Sequence, residues 1–121
     1  MTLTPAIQTY LEHPPYRFAD VFLNANPHRC APLDRAALAA ALPARRALFE
    51  RAGMGPLQLI GGEDQDLGSG FVLAQTRWRA EARDRTLELR STYVLRRVDD
   101  TFEVVFYLNH QDLAELLSAP A

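Results

Sequence analysis

The chain has 121 residues, 48% of them hydrophobic and 23% charged, with a net charge of −2. That length suits one domain with a real core, and the charge leaves no electrostatic footprint for nucleic acid. All 13 basic residues are Arg, which excludes lysine Schiff-base chemistry and the lysine of a phosphate-binding loop, while the single cysteine, Cys30, excludes an intrachain disulfide and a Cys-based zinc cluster.

In chain order, Thr4-Pro5 starts a short helix with Thr as N-cap and Pro at the first helical position. The helix runs to about Glu12 and stops at His13-Pro14-Pro15. The stretch Tyr16–Leu23 fits a strand slightly better than a helical turn. Asn24-Ala25-Asn26-Pro27 is turn chemistry, and His28–Ala31 reads as a short edge strand. Asp34 then caps a helix over Arg35–Ala52, with Leu38, Leu42, Leu48 and Phe49 as its apolar stripe. Pro43 is expected to kink or split it, and Gly53 to end it.

A four-strand meander follows. Its first strand, about Leu57–Asp66, is interrupted by Gly61-Gly62, which predicts a bulge that curves the sheet. The second, Phe71–Ala82, alternates Val72, Ala74, Thr76, Trp78 and Ala80 against Leu73, Gln75, Arg77 and Arg79. The third, Thr86–Val98, puts Leu87, Leu89, Ser91, Tyr93 and Leu95 on one face. The fourth, Phe102–Asn109, puts Phe102, Val104, Phe106 and Leu108 on one face and is apolar on both, as a central strand should be. A short helix over Gln111–Ser118 closes the chain. Helices segregated from a sheet make the class α+β.

The segments ALFERAG (Ala47–Gly53), FVLAQTRW (Phe71–Trp78) and STYVLRRVDDTFEVVFY (Ser91–Tyr107) carry a resemblance. In this order they resemble the nuclear transport factor 2-like (NTF2-like) superfamily, which includes ketosteroid isomerase-like and SnoaL-like polyketide cyclase-like proteins. The resemblance implies a cone in which a curled antiparallel sheet packs against helices. It also implies a homodimer formed through the outer sheet face and a pocket for a small apolar molecule. The first helix is shorter than the superfamily's usual one, so closure of the cone is in question.

Candidate catalytic residues are Asp20, His110 and Tyr16. Asp20 is the only carboxylate in an apolar setting before the long helix (Phe18, Ala19, Val21, Phe22), and burial would raise its pKa towards that of a general base. A solvated turn or cap role is the blander alternative. Tyr16 and Tyr93 could donate to an oxyanion, although such tyrosines are more often packing residues. His28 and His110 sit at element ends, where histidines commonly cap or face solvent. Trp78, Tyr93 and Phe106 are candidate pocket walls. His28-x-Cys30 is too sparse for a metal site, and the acidic run Glu63–Asp66 lacks calcium-loop spacing, so no metal and no cofactor is expected. No membrane or nucleic-acid partner is expected either. The first ten residues lack a signal-peptide pattern, and a cytoplasmic location is the expectation. Three readings follow: a small-molecule binder, an acid–base isomerase or cyclase, and a protein-interaction module that uses the sheet face.

Overall fold

A computed structural model describes residues 2–118. The elements are α1 (Pro5–Leu11), β1 (Phe18–Asn26), β2 (Arg29–Asp34), α2 (Arg35–Arg51), β3 (Gln58–Gly68), β4 (Phe71–Glu81), β5 (Thr86–Val98), β6 (Thr101–Asn109) and α3 (Leu113–Ser118). The six strands form one curled, unclosed sheet in the order β2-β1-β6-β5-β4-β3. The sheet is mixed rather than wholly antiparallel, because β1 pairs parallel to β6 while every other neighbour is antiparallel.

The expected bulge at Gly61-Gly62 is present as a register shift between Leu59 and Gly61. Gly62 has a steric reason to be glycine: a Cβ there would collide with the Gln75 carbonyl oxygen on β4. Another bulge lies between β5 and β6. Leu95 pairs with Val104 but Val94 pairs with Phe106, so β6 spends two residues against one. This corrects the alternation read for the last strand. Phe102 and Val104 face the core, whereas Phe106 sits opposite Val94 on the outer face, away from Tyr93.

The core lies on the inner face. Leu89, Leu95 and Val104 are almost wholly buried there with Ala74, Trp78, Leu87, Tyr93 and Phe102. α1 and the residue leading into it fill the hollow of the curled sheet, with Leu3, Ile7 and Leu11 all buried. Pro5 takes the first helical position as expected, but Thr4 does not cap with its side chain. Its hydroxyl donates to Asp64 Oδ1 at 2.9 Å and its N–H donates to Asp64 Oδ2 at 2.6 Å, which ties α1 to β3.

α2 is capped by Asp34, whose Oδ1 accepts from Ala37 N at 2.8 Å. The helix continues through Pro43 without splitting, and Gly53 follows it at φ +68°. Its apolar stripe is not sunk into the core. No residue of α2 is buried, Leu42 is 41% exposed, and only Leu48 and Phe49 pack against the core cluster.

Candidate functional site

Beneath α1 lies an aromatic cluster. Tyr16 stacks on Tyr10 at 5.5 Å and meets Tyr93 edge-on at 5.9 Å, while Tyr93 tilts against Tyr107 at 5.2 Å. The hydroxyls are engaged within the chain. Tyr93 donates to the Tyr16 oxygen, Tyr16 donates to the Leu11 carbonyl at 2.5 Å, and Tyr10 donates to the Arg17 carbonyl at 3.2 Å. These bonds fasten the end of α1 to the sheet and leave Tyr16 and Tyr93 with no donor hydrogen for an oxyanion. Trp78 is buried in the same core, with its indole N–H donating to Thr76 Oγ1 at 2.8 Å.

Burial pushes the Tyr16 hydroxyl up to about 12 and raises Tyr93 well above 10.0; Tyr10 is raised for the same reason. A folded-state pKa above the unfolded one contributes stability that is complete below pH 10.0 and is lost as pH rises through the folded value. Urea stability is therefore expected to fall as pH rises from 10.0 towards 12, and Tyr93→Phe to flatten that fall. A pH-independent urea midpoint across this window would refute the assignment.

The other candidates lie apart from this cluster. Asp20 is 89% exposed and pairs with Arg35 at 3.1 Å, whose Nε also donates to the Phe18 carbonyl. The burial that would have made it a base is absent. A bulge in β1 between Phe18 and Leu23 breaks the alternation there and turns Asp20 and Val21 outward. His110 lies on the outer side of the sheet, where its Nε2 is 2.7 Å from Thr92 Oγ1. Burial and then the Arg90 charge lower its pKa. It borders a polar hollow of about 300 Å³ with Glu63, Gln75, Arg77 and Arg90. Asp20, His110 and Tyr16 thus do not meet in one cavity, and neither do Trp78, Tyr93 and Phe106.

Sequence reasoning missed a second hollow. It has a volume of about 300 Å³ and lies between α2 and the start of β3, lined by Leu42, Arg45, Arg46, Phe49, Pro56 and Leu57. Arg45 stands over the Phe49 ring at 5.5 Å, and its charge also reaches the Tyr16 and Tyr93 hydroxyls. Neither Arg45 nor Arg46 has an ion-pair partner among the described residues. The signal in the sequence was the pair Arg45-Arg46 placed three residues after Leu42 on an alanine-rich helix.

This fold recurs in solved structures. An NTF2-like protein of unknown function from Shewanella oneidensis matches with a TM-score of 0.60 at 13% identity, over 79% of this chain and 77% of its own. The fold is NTF2-like. An NTF2-like protein with a cystatin-like fold from Novosphingobium aromaticivorans matches with a TM-score of 0.53 at 17% identity, over 85% and 72% of the two chains. A cystatin-like domain of unknown function from Nostoc punctiforme matches with a TM-score of 0.54 at 15% identity, over 78% of this chain and 60% of that one. No protein-family model and no curated protein matches the sequence. Among the described residues no helix is long and apolar enough to cross a membrane.

Proposed function

We propose that this NTF2-like protein binds a small apolar molecule carrying an anionic group, in the groove between α2 and the start of β3. The observation that carries this is the state of α2. It is a 17-residue helix with no buried side chain, and it presents Leu42 and Phe49 to an open hollow beside two arginines that have no ion-pair partner among the described residues. The volume is at the lower end for ligand pockets, which favours a short chain or a single ring. An apolar wall with two guanidinium groups suits a carboxylate tail-end first. The separation of Asp20, His110 and Tyr16 favours binding over acid–base catalysis.

A homodimer through the outer sheet face accompanies this reading. Leu73, Val94, Phe106, Leu23 and Pro32 pair in sequence across five strands and form an apolar row on that face. Leu23 is 40% exposed, and a second copy of the chain would cover the row.

Native mass spectrometry with octanoate and octanol as probes tests both statements. A dimer that retains octanoate and releases octanol is expected. A charge-assisted hydrogen bond contributes about 1.5–3 kcal/mol, so the double variant Arg45→Gln/Arg46→Gln should weaken octanoate binding about tenfold or more. Equal retention of both probes, or an unaffected double variant, would sink the anionic-ligand reading. A monomer at all concentrations would sink the dimer.

A further inference from the structure

The parallel pairing of β1 with β6 brings together three side chains that are far apart in sequence. Ala25 pairs with Leu108, so the turn after β1 and the segment after β6 leave the sheet at the same end. His28 sits in that turn, and Asp112 and Glu115 sit at the start of α3. The His28 Nε2 lies 2.9 Å from Glu115 Oε1 and 3.9 Å from Asp112 Oδ2, and the three donor atoms all fall within 4.8 Å of one another.

The geometry points to a divalent metal site formed by His28, Asp112 and Glu115, taking zinc or a similar first-row ion. Bonds of roughly 2.0–2.2 Å to nitrogen and oxygen ligands hold neighbouring donors about 3–3.5 Å apart, and the two measured separations bracket that spacing. A protonated His28 paired with Glu115 would leave Asp112 Oδ2 at 3.9 Å, too far for a hydrogen bond. An ion at the centre bonds all three. The Asp112 carboxylate is divided to suit: its Oδ1 accepts the Glu115 N–H at 3.0 Å, capping α3, and its Oδ2 is the atom turned to His28. Two carboxylates and a neutral imidazole carry the charge that a divalent cation cancels. The imidazole nitrogen selects zinc, cobalt or nickel over magnesium and calcium, which prefer oxygen. Three protein donors leave at least one coordination position to solvent. The ion would fasten the β1–β2 turn to α3, a helix of six residues that is marginal alone. None of this depends on the groove at α2.

The test is calorimetric titration of the chelator-stripped full chain with Zn²⁺ and with Co²⁺. One ion per chain is expected, with visible d–d absorption for the cobalt form and a melting point raised by zinc. His28→Ala and Glu115→Gln should each weaken Zn²⁺ binding by at least the roughly tenfold that loss of an outer-shell partner already costs. Asp112→Asn should weaken it too while keeping the helix cap, since Asn caps as Asp does. Cys30→Ser, altering the other soft donor near the turn, should leave binding unchanged. Absence of cobalt bands, binding that survives the His28 and Glu115 variants, or binding lost in Cys30→Ser would each overturn the site. All four positions carry exposed or half-exposed side chains, and circular dichroism confirms that each variant is folded before titration.

Discussion

Leu11→Ala is expected to destabilise the protein by about 2–5 kcal/mol, the range for emptying a fully buried leucine site. Leu11 has no solvent exposure and packs in the main core cluster. The consequence should extend beyond the cavity. α1 has seven residues, well below the roughly 12–15 at which a helix is marginal in water by itself. It persists because Leu3, Ile7 and Leu11 dock in the hollow, Asp64 holds Thr4, and Tyr16 holds the Leu11 carbonyl. Weakening the last of the three apolar anchors should therefore also raise amide exchange over residues 5–11 relative to β4 and β5. Urea denaturation gives the stability and hydrogen exchange the local effect. A loss under about 1 kcal/mol, less than any typical buried leucine truncation, would mean that α1 is not part of the core.

Arg96→Ala is expected to cost about 3 kcal/mol, the low end for stranding one partner of a buried ion pair. Glu103 is 6% exposed, and Arg96 grips one of its oxygens through Nη2 at 2.7 Å and Nε at 2.9 Å. Arg17 approaches the other oxygen only to 3.8 Å. Removing Arg96 leaves a carboxylate in the sheet with a single distant cation. The half-exposed guanidinium sets the value at the low end, because water can enter the vacated space. Replacing both partners together, as Arg96→Met with Glu103→Leu, should recover most of the loss. A double-mutant cycle in urea measures the coupling. If Arg96→Ala costs less than about 1 kcal/mol, Arg17 has moved in to replace it, a value in the range of an exposed pair.

The four strands of the meander were legible because their signals are local. Alternation over Phe71–Glu81 and Thr86–Val98, with polar turns between, marks each strand without knowledge of its neighbours. The Gly61-Gly62 bulge was legible for the same reason. The bulges without glycine were not. The irregularity at Val94/Leu95 moves Phe106 off the face that alternation shares with Phe102 and Val104, and the irregularity in β1 leaves the consecutive Asp20 and Val21 both exposed. The α2 stripe was read correctly as a helix, but amphipathicity gives direction and not depth, so its exposure could not be foreseen. The parallel partner of β1 was equally hidden. Strand pairing across some eighty residues leaves no mark in either strand, and the grouping of His28 with Asp112 and Glu115 depends on it.

That pairing also dictates an order of assembly. β3 to β6 are joined by successive hairpins and can zip from local contacts. β1 has no place in the sheet until β6 exists, and β6 ends only at Asn109. During synthesis, Phe22 and Ala25, buried in the finished sheet, must therefore stay uncovered until β6, some eighty residues further along, is in place. The β1–β2 hairpin is thus the last strand pair to join the sheet, and its exposed interval is when the nascent chain is most open to mispairing.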